Sequence, residues 1–130
     1  MGDVALVREV YGLLRKGDPR ELPAYFDVEA TWEPVSSTQR RPAEGGQELA
    51  RRLLYRGTVH KLTISEPLDL GEHVLVTLSG RKMHFMGAGF FSRSIYQLVT
   101  TRDGRIVALR DFRTREEALA AAGVAVRPDA

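Results

Sequence analysis

The chain predicts a single α+β domain with a mainly antiparallel sheet, and three features of the sequence carry the prediction. Apolar residues recur at helical spacing in the first third, whereas from residue 59 onward the period is two. Asp103-Gly104 stands between two alternating runs and marks a tight hairpin, because both residues tolerate positive φ. Arg105 to Arg113 then reads as a strand, followed by a capped helix from Thr114 to Gly123. Helices gathered ahead of an antiparallel sheet are expected on one of its faces.

Val4, Val7, Tyr11 and Leu14 give the first helix its apolar stripe, widened by Leu6, Val10 and Leu13, with Asp3 as N-cap and Gly17 as stop. Asp18-Pro19-Arg20-Glu21 is a second start signal, an acidic cap followed by proline at the first helical position. Pro23 keeps that helix short, so Leu22, Tyr25 and Phe26 form a turn or two packed on the first helix. Residues 28–33 alternate as Val28, Ala30 and Trp32 against Glu29, Thr31 and Glu33, a strand closed by Pro34. Residues 35–46 show no periodicity and read as a long loop, the kind of segment that rims a site. A third helix follows, with Leu49, Leu53 and Leu54 on one face and Gly57 as its stop.

Four strands are then expected at residues 59–70, 73–85, 90–102 and 105–113, reversing at Gly71-Glu72, Gly87-Ala88-Gly89 and Asp103-Gly104. Thr114 and Glu117 form a capping box for the last helix, which Gly123 ends. The domain spans residues 1–123, and residues 124–130 form a loosely held tail.

Composition narrows the possible functions. A chain of 130 residues, 43% hydrophobic and 28% charged, can bury a core without staples and resembles neither a disordered nor a coiled-coil sequence. Cysteine is absent, so disulfide, thiolate and Cys-ligated zinc chemistry are excluded. His60, His73 and His84 lack the i, i+4 spacing of a helical metal pair, and neither a metal nor any other cofactor is expected. With 19 basic and 17 acidic residues interspersed, Arg40-Arg41 and Arg51-Arg52 read as solvated pairs, and no nucleic-acid partner is expected. No apolar run approaches a membrane span, and the N-terminal apolar stretch is preceded by acidic Asp3 and shows no cleavage-site pattern, which predicts a cytoplasmic location without membrane attachment.

Val10-Tyr11-Gly12-Leu13-Leu14-Arg15-Lys16-Gly17-Asp18, then Tyr25-Phe26-Asp27 ahead of Ala30-Thr31-Trp32, then Asp103-Gly104-Arg105-Ile106 leading into Arg110-Asp111-Phe112, occur in this order and at these separations. On them the chain resembles the SnoaL-like branch of the nuclear-transport-factor-2-like superfamily, with ketosteroid isomerases, limonene epoxide hydrolases and polyketide cyclases as relatives. The resemblance covers almost the whole chain. It implies a cone-shaped α+β barrel, a curved sheet whose cavity the N-terminal helices close. It also implies a small apolar or amphipathic ligand and a homodimer through the outer sheet face. Val74, Val76 and Leu78 lie on one strand face and Leu75, Thr77, Ser79, Arg81 and Met83 on the other, so both faces call for cover.

Set against each branch, the resemblance implies different chemistry. Ketosteroid isomerases use a carboxylate base after the first strand and a tyrosine donor on the first helix. Glu33-Pro34 is the matching acid, and the donor position falls on or beside Val10, with Tyr11 one residue and about 100° away. The hydrolase arginine matches Arg81, but Met83 and Thr114 stand where that branch keeps its acids. The cyclase acid lies near Asp111, which strict alternation sets opposite Arg110 and Phe112, facing away from the cavity if those two face it; a bulge would invert that parity.

The candidate catalytic residues are therefore Glu33 and His84, with Tyr11, Trp32, Arg81, Met83, Arg110 and Phe112 as ligand-binding candidates. Glu33 also reads as a solvent-facing strand-end acid and His84 as a packed rim histidine, while Asp111, outside the candidates, reads as a structural salt-bridge partner. Arg81 and Arg110 on the inner face would call for an anionic or carbonyl-bearing ligand, while at the rim they would pair with surface acids. The expected activity is cofactor-free proton transfer, as in an isomerase, cyclase or dehydratase. Its alternatives are a ligand-binding or sensing domain without catalysis and a dimeric interaction module.

Overall fold

The computed structural model describes residues 4–16, 20–33, 43–59, 63–65, 67–79 and 94–124. Its elements are α1 (Val4–Lys16), a 3₁₀ turn (Leu22–Tyr25), β1 (Phe26–Glu33), β2 (Ala43–Glu44) and α2 (Gly46–Val59). There follow β3 (Thr63–Ile64), β4 (Leu68–Asp69), β5 (His73–Ser79), β6 (Ser94–Arg102), β7 (Arg105–Phe112) and α3 (Arg115–Ala121). Strand order is β2-β1-β7-β6-β5-β3, with β4 also paired to β5. All pairings are antiparallel except β1 with β7. The fold class is thus α+β, but the curved sheet is open and ends on β2 and β3 rather than closing into a barrel.

Several boundaries differ from those the sequence suggests. Among the described residues the second helix is the 3₁₀ turn alone, with Pro23 in its first positions, where a missing N–H is tolerated. Leu22 is fully buried, while the Tyr25 hydroxyl donates to Glu9 Oε1 at 2.6 Å and ties the turn to α1. Phe26 opens β1 rather than belonging to the turn. Helix α2 runs through Gly57 to Val59, so the strand expected at residues 59–70 is replaced by the helix end and two strands of two residues. A glycine inside a helix costs only about 1 kcal/mol, which the rest of the helix outweighs, and Pro67 between β3 and β4 has no N–H for a ladder. Within the loop expected at 35–46, Ala43–Glu44 pairs with Thr31 and Trp32. Asp18, Pro19, the Gly87-Ala88-Gly89 turn and the tail beyond Val124 lie outside the described residues.

The hairpin and the last helix follow their local signals. Asp103 and Gly104 take φ of 54° and 75°, and Thr114 Oγ1 accepts from the Glu117 N–H at 3.2 Å. Gly123 leaves the helix at φ 80°.

Two irregularities in the sheet decide which side chains point inward. Opposite β6, Thr100 pairs with Ala108 but Thr101 pairs with Ile106, which leaves Val107 as an extra residue in β7. Ile106 and Leu109, three apart, therefore share the inner face, and Asp111 follows them there. In β1, five steps from Phe26 to Thr31 match only two in β7, and the bulge leaves Val28 78% exposed.

The main core lies between the inner face and the first two helices. Val7, Val10 and Tyr11 of α1 and Leu49 of α2 pack there against Trp32, Val76, Val99 and Leu109. On the outer face α3 buries Ala118 against Leu75 and Leu98. Part of the cover expected from a second copy thus comes from the chain's own last helix. Among the described residues no helix is long and apolar enough to cross a membrane.

Gly46 fixes how closely α2 approaches β1. A Cβ at this position would stand 2.8 Å from the Asp27 carbonyl oxygen and 3.1 Å from Phe26 Cβ. Helix propensity alone favours alanine by about 1 kcal/mol, but the clash is with backbone and overpacking of this kind costs about 1–3 kcal/mol. Gly46→Ala is therefore expected to lower the urea midpoint, with a net loss of about 1 kcal/mol; a raised midpoint would show that α2 shifts freely on the sheet.

Candidate active site

Among the described residues, the inner face carries a continuous run of polar groups. Its first member is Tyr11, brought inward because Val7, Val10 and Tyr11 fall on one stripe of α1. Val10 and Tyr11 are both buried, at 0% and 4% exposure, so the offset from the isomerase donor position does not carry Tyr11 out of the interior. The Tyr11 hydroxyl donates to Gln97 Oε1. Gln97, fully buried, sits in β6 between the apolar Ile95 and Val99. Its Nε2 donates to Asp111 Oδ1 at 2.9 Å, across a pair of residues that stand directly opposite in the β6–β7 ladder. Asp111 is 5% exposed, and its Oδ2 accepts from Trp32 Nε1 at 3.0 Å.

Asp111 thus points inward, not outward, and the reason is the extra residue at Val107, which inverts the alternation that strict period-two counting assigns to β7. A carboxylate at this depth is tolerated only with donors on its oxygens, and Gln97 and Trp32 supply one each. The Tyr11 hydroxyl is held far above the ordinary tyrosine pKa, first by burial and then by the negative charge of Asp111. It remains a neutral donor throughout the physiological range.

The other candidates fall into two groups. Glu33, Arg110 and Phe112 come together on the opposite face: Arg110 Nε lies 3.4 Å from Glu33 Oε2, and its guanidinium carbon stands 5.2 Å from the Phe112 ring centre. Trp32 and Glu33 point to opposite faces, as alternation requires. The Glu33 side chain is 65% exposed and that of Arg110 43%, a surface pair worth about 0–1 kcal/mol. Phe112 packs with the cluster beneath α3. Arg81, Met83 and His84 lie outside the described residues.

Gln97 is the member that the sequence marks most faintly. The signal was a lone amide in the alternation Ile95, Gln97, Val99, on the face that otherwise takes apolar side chains. Among the described residues, no three histidine, aspartate or glutamate side chains are grouped to hold a metal ion. The Arg51-Arg52 pair lies on α2 and is engaged by Glu48, whose carboxyl the two guanidinium groups hold down at about 2.

A raised tyrosine pKa stabilises the fold below the unfolded value near 10.0 and loses that contribution as pH climbs toward the folded value. Stability is therefore expected to fall with rising pH above about 10. In Tyr11→Phe this slope should shrink, leaving a smaller remainder from Tyr25, raised by its hydrogen bond to Glu9. The same variant removes the donor to a buried amide oxygen, at a cost of about 1–3 kcal/mol near neutrality. Urea titrations at pH 7 and at alkaline pH test both; an unchanged slope would place the hydroxyl in water.

No protein-family model matches the chain, and no curated protein matches it in sequence. Solved structures do match it in fold. A steroid Δ-isomerase from Pseudomonas aeruginosa superposes with a TM-score of 0.62 at 23% identity, over 92% of this chain and 84% of that one. An NTF2-like protein of unknown function from Mesorhizobium loti gives 0.64 at 17% identity, covering 83% and 87%. A de novo designed protein with a curved β-sheet gives 0.62 at 16%, covering 92% of each chain. The last of these shows that the architecture forms without any evolved activity, so at these identities the likeness concerns fold and not chemistry. The chain has the open, curved-sheet α+β fold of the nuclear-transport-factor-2-like proteins.

Proposed function

We propose that the protein binds a small, largely apolar carbonyl compound between its helices and the inner sheet face and catalyses a cofactor-free proton transfer on it, with Asp111 as acid/base. The observation that carries this reading is Asp111 itself: a carboxyl group 5% exposed, on the inner face, oriented by Gln97 and Trp32. Buried titratable groups with specific partners cluster at functional sites. Isomerisation, aldol cyclisation and dehydration all require a proton to leave or reach a carbon next to a carbonyl group, a task for one positioned carboxylate. The steroid isomerase among the fold relatives is consistent with that class.

Asp111 is preferred to Glu33, which is mostly exposed and paired with Arg110. His84 is a further candidate for the proton-transfer role. With Arg110 on the outer face, one of the two arginines that would call for an anionic ligand is away from the inner face, and a neutral carbonyl compound fits better. Pairing of two copies through the outer face, on the part of the sheet beside α3, belongs to the same proposal; sedimentation of a monomer alone at about tens of micromolar would remove it.

A second reading is favoured by one feature of the same network. Tyr11 and Trp32 spend their donors on protein acceptors, as they would in a binding domain whose polar chain serves only to hold its core together. The two readings separate by solvent exchange. Enolisable ketones, among them a steroid enone and a β-dicarbonyl, are incubated with the protein in D₂O and followed by mass spectrometry. Catalysis predicts deuterium uptake above the buffer rate and a loss of about 10²-fold or more in Asp111→Asn. Uptake unchanged in that variant overturns the assignment, and ligand binding without uptake favours the binding domain.

A further inference from the structure

We infer that Gln97 is the positioning residue of this site: its carboxamide passes the donor direction of Tyr11 on to Asp111 and holds that carboxyl group as an oriented proton acceptor. This rests on the reading of Asp111 as the proton-handling group.

Chemistry determines the direction of the chain. An indole N–H only donates and an ionised carboxylate only accepts, so Trp32 and Asp111 allow one arrangement between them. Gln97 must then turn Nε2 toward Asp111, which leaves Oε1 facing Tyr11, whose hydroxyl must be the donor. Every hydrogen bond in the run points toward Asp111. No charged side chain could replace the middle member: a glutamate would offer acceptors to both neighbours and a lysine donors to both. A carboxamide accepts on one side and donates on the other without adding charge to the core.

The geometry makes the contact part of the sheet. Gln97 and Asp111 are direct partners in the antiparallel ladder, so their side chains meet on the inner face without a search through rotamers. Each carboxylate oxygen then carries a donor from a different strand, which favours the ionised form and stops the group turning. In this run Trp32 from β1 and Gln97 from β6 bond the carboxyl group directly, and Tyr11 from α1, the titratable member, stands behind Gln97. Arg110, next to it in the strand, pairs with Glu33 on the other face.

Trp32 is the only tryptophan of the chain, so its indole N–H gives a single ¹H–¹⁵N signal that reports on Asp111 without substrate. The experiment is a pH titration of that signal in the wild type, Asp111→Asn, Gln97→Met and Tyr11→Phe. The titration should vanish in Asp111→Asn. In Gln97→Met the proton affinity of Asp111 should rise about tenfold, moving the midpoint up by about one pH unit. Tyr11→Phe should move it the same way by less. A Gln97→Met midpoint equal to that of the wild type overturns the inference, as does a titration that survives in Asp111→Asn. Should Gln97→Met not fold, the Tyr11→Phe midpoint decides: raised supports the relay, unchanged overturns it. Because the signal needs no turnover, a negative deuterium-exchange assay removes the catalytic reading while leaving the role of Gln97 separately measurable.

Discussion

A carboxylate placed among Val, Ile and Trp side chains is intolerable unless each oxygen finds a donor, and that requirement at Asp111 organises the inner face of the sheet. Burial of an ionised group without partners is prohibitively unfavourable. The fold answers with one donor from the adjacent strand β6 and one from β1, on the other side of β7. Tyr11, contributed by a helix 86 positions away in sequence from Gln97, extends the run across the core. Three strands and a helix are therefore held in register by polar contacts as well as by apolar packing. A slip of one residue between β6 and β7 would leave buried donors and acceptors unmatched.

The separation of the two faces follows from the same register. Once Asp111 points inward, Arg110 and Phe112 must point outward, where the guanidinium group lies over the aromatic ring and pairs with Glu33. The outer face also receives α3, whose Ala118 packs on Leu75 and Leu98. Among the described residues, the inner face is left with an apolar lining and the polar run from Tyr11 to Trp32. Under the proposed reading, a ligand there would meet, among the described residues, mostly hydrocarbon and the Asp111 carboxyl group.

Much of the fold was legible because its signals are local. Asp103-Gly104 adopts the turn its residues prefer, Thr114 caps α3 through its own side chain, and the stripe on α1 buries Val7, Val10 and Tyr11 together. These outcomes depend on residues at most a few positions apart. The less legible parts depend on partners distant in sequence. The passage of α2 through Gly57 and the break at Pro67 replaced a strand with a helix end and two short pairings. The packing of α3 on the outer face follows from what Leu75 and Leu98 present to it, not from the helix alone.

By itself the sequence determined the fold class, the hairpin, the capped last helix and the pool of side chains available for chemistry, because propensity, period and capping act within a few residues. It placed Asp111 on the matching strand and could not orient it. That was decided by the tertiary structure, through the single extra residue at Val107, which exists only where β7 is laid against β6. The pairing of Gln97 with Asp111 was decided there too, since residues 14 apart in sequence become neighbours only in the ladder. A strand's alternation is a local property, but its phase relative to the core belongs to the sheet.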